Sequence, residues 1–373
     1  MGWSIHHPTG LIYRAPQRIY PGYTLISSVS GNQAVLIDVS GKVCHRWHHS
    51  PGISHATLLP NGNLLCDLPS KGEEEVVRGI GGSSSGLLEF DWDGNVVWEY
   101  ANPFVHHDFE RLENGNTLVL LFEEMSPEFS ATIKGGSRRE DDPERMLGDV
   151  IAEVAPDGAM VRQWRSWEHL DVEQDVICPL ENRREWTHAN SIAAGPDGSW
   201  LISLRRIDTV AIVDSDSGEF KWKWGRGTIA HQHDARFLPN GNVMIFDNNF
   251  HGLAESGFSS VIEIDPETEE IAWEYKGSPP VSFYSHYISG AERMPNGNTL
   301  ICEGAHGRIF EVTQNKEIVW EYVSPFFFPD RRGESDSNAV FRAHKYGLDY
   351  PAFEGRDLDP KLFSNLNRLY GGA

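Results

Sequence analysis

The sequence is poor in cysteine, the residue that forms disulfides and many structural zinc sites. It holds 4 cysteines in 373 residues, and they are far apart: Cys44, Cys66, Cys178 and Cys302. A disulfide framework or a zinc knuckle needs paired or closely spaced cysteines, so neither is expected. No apolar run approaches the roughly 18 residues of a membrane span. The first residues also lack the basic and apolar regions of a secretory signal, so we expect a soluble cytoplasmic protein without a membrane partner.

Positive charge is scarce as well. The chain has 54 acidic and 32 basic residues, a formal net charge of −22. Proteins that bind nucleic acids need a basic surface to displace counterions from phosphates. We therefore expect no nucleic-acid partner, and an anionic small molecule would need a local cationic pocket.

Aromatic and turn-forming residues are abundant, with 12 Trp, 36 Gly and 21 Pro. This mixture favours an all-β fold. One short string recurs along the chain, usually as Pro-Asn-Gly-Asn followed by apolar residues. Asn-Gly between apolar residues predicts a tight hairpin, because both residues tolerate a positive φ. The string and its Asp-Gly variant begin at Leu59, Leu112, Pro196, Leu238 and Met294.

A second string precedes each hairpin: a strand, a turn, and a strand that ends in Trp. It begins at Val35, Leu87, Ile151, Ala211, Val261 and Ile309. Together the two strings give four strands per unit, near the length of a propeller blade, about 40 to 50 residues. The sequence therefore predicts one β-propeller domain over residues 1–373, with six blades near 34–68, 86–122, 150–206, 210–248, 261–304 and 308–346.

The sixth unit lacks its own Asn-Gly hairpin. Gly22-Tyr-Thr-Leu-Ile resembles Gly297-Asn-Thr-Leu-Ile, so we expect the N-terminal strand, residues 22–28, to complete the last blade. It would share a sheet with Ile309 to Tyr322 and close the ring, which leaves few exposed sheet edges. Three long segments interrupt the repeat and suggest functional lids or mobile segments: 123–148, 165–187 and 324–343. For the first of them, a disordered surface insertion is an equal alternative.

Each unit also carries a histidine between its Trp strand and its hairpin: His55, His107, His188, His233, His286 and His344. The strand that follows this connection is usually innermost in a propeller, so we expect the histidines to point into one central channel. A repeated histidine can be a structural signature of the blade. It can also bind a metal ion, here together with Asp108 or Asp234, or act as a nucleophile or general acid.

Around these histidines the sequence resembles the arylsulfotransferase family, six-bladed propellers that move a sulfuryl group from one phenol to another. The resemblance runs over most of the chain. It rests on the opening Tyr20-Pro-Gly-Tyr-Thr-Leu-Ile and on three later motifs: His106-His-Asp-Phe, Thr187-His-Ala-Asn-Ser and Gln232-His-Asp-Ala-Arg-Phe-Leu-Pro-Asn-Gly-Asn.

The resemblance implies a role for each matching residue. His233 would carry the sulfuryl group, while His107, His188, Asn190 and Arg206 would assist and hold its oxygens. Alternation along a strand would point Arg205 away, and a register shift of one residue would exchange the two arginines. The substrate would be a small aromatic compound, and no cofactor or metal is implied. The remaining candidates for binding or stacking it are His55, His286, His344, Tyr284, Phe283 and Phe326 to Phe328.

Three functions therefore stay open. The first is sulfuryl transfer, which needs positioning and charge stabilisation more than covalent chemistry. The second is a metal-dependent propeller lyase or hydrolase that uses the ring of histidines. The third is a non-catalytic propeller that binds a ligand. A metal site requires three or four ligands and by itself no arginine, whereas the first function uses both Arg206 and the Thr-His-Ala-Asn motif.

Overall fold

The computed structural model describes residues 8–70, 74–138, 142–252, 257–330 and 333–370. Within these ranges the chain forms six antiparallel sheets of four strands, one of which gains a fifth, and two small sheets of two strands. The fold is therefore all-β, a six-bladed β-propeller in which each large sheet is a blade. No helix in the described ranges is long and apolar enough to cross a membrane.

The first three blades, numbered in chain order, have the following strands. Blade 1 contains Gly22–Ser28, Gln33–Ile37, Val43–His48 and Val340–Gly347. Blade 2 contains Ala56–Leu58, Leu64–Pro69, Ser84–Phe90 and Val96–Ala101. Blade 3 contains Val105–Arg111, Thr117–Glu124, Leu147–Val154 and Met160–Arg165.

The other three blades follow the same order. Blade 4 contains Ala189–Ala194, Trp200–Leu204, Thr209–Val213 and Phe220–Trp224. Blade 5 contains His233–Phe237, Val243–Asp247, Ser260–Ile264 and Ile271–Lys276. Blade 6 contains Gly290–Arg293, Thr299–Glu303, Arg308–Val312, Ile318–Val323 and an added strand, Gly10–Arg14.

The remaining elements lie in the connections. One small sheet pairs Gly135–Ser137 with Ile177–Asn182, and the other pairs Phe328–Pro329 with Asp336–Ser337. The described α-helices are Pro127–Thr132 and Ser364–Tyr370. Short 3-10 helices span Glu75–Val77, Ser166–Glu168, Arg205–Ile207, Pro280–Ser282, Gly304–His306, Pro351–Phe353 and Pro360–Phe363.

The N-terminal strand closes the fold, as expected, but its predicted partner was wrong. Gly22–Ser28 pairs with the last strand of the chain, Val340–Gly347, in blade 1. The predicted partner, Ile309 to Tyr322, belongs to blade 6 and pairs instead with Gly10–Arg14. The physical reason is that blade 6 already has its own hairpin at Met294, so the chain continues past residue 324 to supply one more strand.

The blade boundaries were predicted half a repeat too early. Each of blades 2 to 6 begins with the strand at or after the histidine, passes through the hairpin, and then takes the strand–turn–strand string that follows. In blade 1 the N-terminal strand takes the place of the strand after the hairpin. The predicted unit 34–68 is thus divided between blades 1 and 2. A periodic sequence gives the repeat length but does not show where one hydrogen-bonded ladder ends and the next begins.

The Pro-Asn-Gly-Asn string is explained by contacts inside the blade. In blade 5, Asn240 Oδ1 accepts from the Asn242 backbone N–H at 3.1 Å, while Gly241 takes the positive φ of the turn. The Asn242 side chain donates to Glu263 on the third strand at 2.8 Å. The same bond joins Asn63 to Glu89, Asn116 to Glu153 and Asn298 to Glu311. Blade 4 has Ser199 in place of the asparagine and Ile212 in place of the glutamate.

The chain divides into two compact units. The first unit comprises residues 1–69, 87–101 and 288–373, and the second comprises residues 70–86 and 102–287. Buried tryptophans anchor the core of each unit, Trp47 and Trp320 in the first, Trp164 and Trp186 in the second. The indoles also donate to carbonyl oxygens, as Trp164 does to Gly218 at 2.9 Å.

Candidate active site

The two long insertions at 123–148 and 165–187, both in the second unit, pair with each other. Gly135–Ser137 and Ile177–Asn182 form a parallel two-stranded sheet. The buried guanidinium of Arg183 donates to the carbonyl oxygens of Ser130, Ile133 and Gly135 at 3.2, 3.0 and 2.6 Å. The strand Ile177–Asn182 and the residues after it carry two acidic residues, Glu181 and Glu185, to the start of blade 4.

His188 directly precedes the first strand of blade 4 and faces one of these acids. Its Nδ1 lies 2.8 Å from Glu185 Oε2, and Glu185 Oε1 lies 2.8 Å from Arg206 Nη2. Burial opposes ionisation of Glu185, but Arg206 and His188 offset it and lower the pKa of Glu185 to about 2. Burial lowers the pKa of His188, even though Glu185 acts the other way. At pH 7, His188 is therefore neutral, with its Nδ1–H donated to the carboxylate and its lone pair on Nε2.

The two arginines are not on a strand. The second strand of blade 4 ends at Leu204, and Arg205–Ile207 is a 3-10 turn, so the expected alternation does not apply. Both side chains turn to Glu181, with Arg205 Nη1 at 2.8 Å and Arg206 Nη2 at 3.6 Å from its oxygens.

Of the two arginines, Arg206 has the more buried side chain and the larger number of polar contacts. Its Nη1 donates to the carbonyl oxygens of Asn182 and Glu185 at 2.9 and 3.1 Å, and its side chain is 6% exposed. Its buried Nε has no hydrogen-bond partner in the described part of the chain. The geometry makes Arg206 the residue that holds Glu185, and through Glu185 it holds His188.

His107 occupies a bulge in the first strand of blade 3, where the register shifts. Its φ is 51°, and its N–H donates to Gly82 O at 2.9 Å. A Cβ on Gly82 would lie 2.2 Å from the His107 ring, so this close approach requires glycine. The His107 ring centroid is 4.5 Å from that of His188, which brings two of the predicted residues together.

A buried line of polar groups supports His107 from behind. Its Nδ1 lies 3.0 Å from Nδ1 of His106, which stacks on Phe122. His106 Nε2 is 3.4 Å from Asp149, which accepts a hydrogen bond from the Thr187 hydroxyl. Burial lowers the pKa of His106 to about 3 and raises that of Asp149 to about 7. The His-His-Asp-Phe motif signalled His106, but nothing in the sequence pointed to Asp149.

His233 is the first residue of blade 5 and is buried. Its Nδ1 lies 2.7 Å from Asn248 Oδ1, and the Asn248 amide donates from Nδ2 to Ser285 O at 2.8 Å. The carbonyl of Ser285 can only accept, so the Asn248 oxygen must face His233. His233 therefore carries its hydrogen on Nδ1 and its lone pair on Nε2.

Asn190 is hydrogen-bonded to the residue that precedes His233. Its Nδ2 donates at 2.8 Å to the carbonyl oxygen of Gln232, the residue before His233. Asn190 is on the first strand of blade 4 and is fully buried. The bond therefore ties the motif that contains His188 to the motif that contains His233.

The other predicted histidines have different settings. In the first unit, His55 and His344 approach each other with their Nε2 atoms 3.5 Å apart, and His344 Nδ1 is 3.7 Å from Glu292. His286 is exposed on the loop before blade 6, with its ring 4.6 Å from that of Tyr287. The six histidines thus do not share one position in the repeat, and a common channel for them stays a prediction.

The predicted aromatic residues also differ in how far their rings are buried. Tyr284 is half-buried, with its ring 6.4 Å from that of His286. Phe283 is fully buried and packs edge-on against Phe246 and Tyr275. Phe326 lies in the core of the first unit. Only Tyr284 among these three keeps a ring that a substrate could reach.

The predicted histidines do not form a metal-binding cluster in the described ranges. The one group of three or more suitable side chains found there consists of Cys178, His231 and His251, whose donor atoms lie within 4.8 Å of one another. That group contains none of the six predicted histidines. The proposed use of a histidine ring as a metal site therefore gains no support from the geometry.

Comparison with known proteins places the chain in a family. The family model described as arylsulfotransferase (ASST) matches residues 55–325, well over half of the sequence. The chain belongs to the arylsulfotransferase family. A search of curated proteins finds no match.

Solved structures resemble the chain in fold. A protein of unknown function from Bacteroides caccae has a TM-score of 0.56 and 14% identity, over 87% of this chain and 98% of that one. A streptogramin B lyase has a TM-score of 0.48 and 12% identity, over 85% and 82%. The virginiamycin B lyase of Staphylococcus aureus has a TM-score of 0.47 and 12% identity, over 85% and 88%. At these identities the likeness to the first concerns the fold alone, and the two lyases carry no argument.

Proposed function

We propose that this protein transfers a sulfuryl group from an aryl sulfate to a phenolic acceptor through a transient sulfohistidine at His233. The observation that carries the proposal is the hydrogen-bond chain from His233 through Asn248 to Ser285. It fixes the tautomer of a buried imidazole so that Nε2 keeps its lone pair. Membership of the arylsulfotransferase family supports the choice of the transferred group.

In the first half-reaction the lone pair of His233 Nε2 attacks the sulfur of the donor. An N–S bond forms, the bond from sulfur to the aryl oxygen breaks, and its electron pair leaves on the phenolate. The imidazole ring becomes cationic and keeps its Nδ1–H bond to Asn248 Oδ1, 2.7 Å away. The dipole of the Asn248 amide stabilises that positive charge. In a buried site it replaces the stabilisation that water would otherwise provide.

In the second half-reaction the phenolic oxygen of the acceptor attacks the same sulfur. The N–S bond breaks, its electron pair returns to His233 Nε2, and the acceptor proton passes to His188 Nε2. His188 suits this step because its lowered pKa keeps it neutral, while Glu185 stabilises the imidazolium that forms. The proton then leaves to the donor phenolate or to solvent, which balances the cycle. His107, whose ring centroid is 4.5 Å from that of His188, is a second candidate for this proton transfer.

The two polar residues that the family resemblance names have supporting roles in this proposal. Asn190 is bonded to the carbonyl beside His233, so it aligns the nucleophile with blade 4. Arg206 is enclosed by Glu181, Glu185 and two carbonyl groups, so we assign it a positioning role through Glu185. Its permanent charge also offsets part of the negative charge around an anionic substrate.

The direct test is His233→Asn, assayed by nitrophenol release from nitrophenyl sulfate with phenol as acceptor. We expect no measurable turnover and an unchanged thermal unfolding profile. His48→Asn is the matched control, because His48 is an exposed histidine at the end of an outer strand of blade 1. Turnover of His233→Asn within tenfold of wild type would eliminate His233 as the nucleophile. If the wild-type protein released no phenol from any of a range of aryl sulfates, the proposal would fail as a whole.

A further inference from the structure

A second cluster of reactive side chains lies outside the proposed transfer site. Cys178 is on the strand Ile177–Asn182, His231 lies just before blade 5, and His251 follows its second strand. Their donor atoms all lie within 4.8 Å of one another. Cys178 is a free, half-buried thiol, His231 is fully buried, and His251 reaches the solvent.

The spacing suits a tetrahedral metal site. Bonds of about 2.3 Å to sulfur and about 2.0 Å to nitrogen at tetrahedral angles separate the two donor atoms by roughly 3.5 Å. Cys178 Sγ lies 3.6 Å from His251 Nδ1. One thiolate and two imidazoles form a ligand set typical of zinc and related divalent transition metals.

The surroundings of His231 suit a metal ligand as well. Its Nε2 lies 3.1 Å from Glu181 and its Nδ1 lies 3.3 Å from Asp208. A histidine that binds a metal usually donates its other ring N–H to a carboxylate or carbonyl oxygen. Whichever nitrogen of His231 faces the ion, the other one keeps an acidic partner. Asp208 also adds negative charge beside the ion, whereas the charge of Glu181 is offset by Arg205 and Arg206.

The backbone holds two of the three residues in an unusual conformation. His231 and His251 have φ angles of 57° and 62°, in the left-handed region that non-glycine residues rarely adopt. Such conformations tend to cluster at binding and catalytic sites, where the surrounding structure compensates for their cost. The stacked ring of Phe250, 4.0 Å from that of His251, further restricts the ligand.

We propose that Cys178, His231 and His251 bind one divalent transition-metal ion of the zinc class. Three protein ligands leave a fourth position, and the exposure of His251 gives the ion a route of entry. No step of the sulfuryl transfer proposed above uses these three residues, although Glu181 contacts both His231 and Arg206. The competing explanation is a simple thiol–imidazole hydrogen bond between Cys178 and His251.

The test is titration of the full-length protein, without an affinity tag and with a non-thiol reductant, with Co²⁺ and then Zn²⁺. We expect one Co²⁺ per chain and the near-ultraviolet charge-transfer absorption of a cobalt–thiolate bond, which Zn²⁺ should abolish by displacement. Zn²⁺ affinity follows from competition with a chromophoric chelator. Absence of the charge-transfer band, or of stoichiometric binding, would leave only the hydrogen bond and would overturn the proposal.

The variants use the two accessible ligands, because the buried His231 also supports the fold. Cys178→Ser should remove the charge-transfer band, and Cys178→Ser and His251→Ala should each weaken Zn²⁺ binding by at least tenfold, since even the loss of a residue that only supports a ligand costs about 10- to 100-fold. His48→Ala, at an exposed histidine far along the chain, should bind like wild type. Equal binding by all four proteins would also contradict the site. Circular dichroism shows whether each variant is folded.

Discussion

The histidines of the two units differ in the groups that determine which ring nitrogen carries the hydrogen. In the second unit, Nδ1 of His188 meets a carboxylate and Nδ1 of His233 meets an amide oxygen. Each partner can only accept, so both rings keep a lone pair on Nε2. In the first unit, His55 and His344 meet each other through Nε2, so one of these two nitrogens donates and the other accepts. A residue that recurs around a propeller therefore acquires its protonation pattern from its neighbours, and in the second unit His188 and His233 both keep a lone pair on Nε2.

The largest effect outside His233 is expected at Arg206. Arg206→Ala removes the partner of buried Glu185, which holds His188, and a shift of about 1 Å in such a group costs roughly a hundredfold in rate. We expect a fall in kcat of that size and a partial recovery in Arg206→Lys. Arg205→Ala is the matched control, since the contacts of Arg205 are with Glu181. A larger loss in Arg205→Ala than in Arg206→Ala would reverse the assignment.

A smaller loss of kcat is expected when the side chain that fixes the tautomer of His233 is removed. Asn248→Ala removes a buried hydrogen bond of about 1 to 2 kcal/mol, which corresponds to roughly 5- to 30-fold in kcat. Asn240→Ala removes another asparagine side chain of blade 5, which bonds Glu263 in the hairpin, and should lower stability while kcat is kept. If both variants lost kcat equally, the bond from Asn248 to His233 would have no special role.

The free energy of unfolding at acidic pH tests whether Glu185 is ionised in the folded protein. Its folded pKa of about 2 lies below the ordinary value of 4.5, so its contribution is complete above that value and is lost as the pH falls towards 2. Between about pH 5 and about pH 3, the free energy of unfolding of wild type should fall by about 2 kcal/mol more than that of Glu185→Gln. Urea denaturation at the two pH values measures this difference. Parallel loss in both proteins would mean that Glu185 is not held as a carboxylate.

The smallest effects are expected in the first unit. We predict that His55→Asn and His344→Asn raise KM for the aryl sulfate severalfold and leave kcat nearly unchanged, as expected for groups that bind ground state and transition state alike. The steady-state parameters of both variants measure this. A loss of kcat comparable with that of Arg206→Ala would show that the first unit takes part in the chemical step.

The fold was largely predictable because its signals are local and repeated. Asn-Gly turns, Trp strands and the repeat length predicted the propeller. The boundary of a blade was missed because it depends on which strands pair. The partner of Gly22–Ser28 was missed for the same reason, since Val340–Gly347 lies over 300 residues away and has no hairpin of its own.

The sequence predicted which residues belong to the candidate site better than it predicted the contacts between them. The motifs indicated His107, His188 and His233, but the groups that orient them come from elsewhere in the chain. Glu185 lies in an insertion interpreted as a lid or a mobile segment, and Asn248 follows a different strand of blade 5. The alternation argument for the arginines failed because the strand ends at Leu204. Hydrogen-bond partners of this kind depend on three-dimensional packing, which spacing alone does not give.

The central claim is a covalent bond between His233 and the sulfuryl group. Wild-type protein mixed with nitrophenyl sulfate and no acceptor should rapidly release at most one nitrophenol per chain, if water is excluded. After an alkaline quench, the peptide that contains His233 should carry an added sulfuryl mass, and this mass should disappear when phenol is supplied before the quench. An adduct on His188 or His107, or phenol-dependent turnover with no adduct at all, would contradict the account.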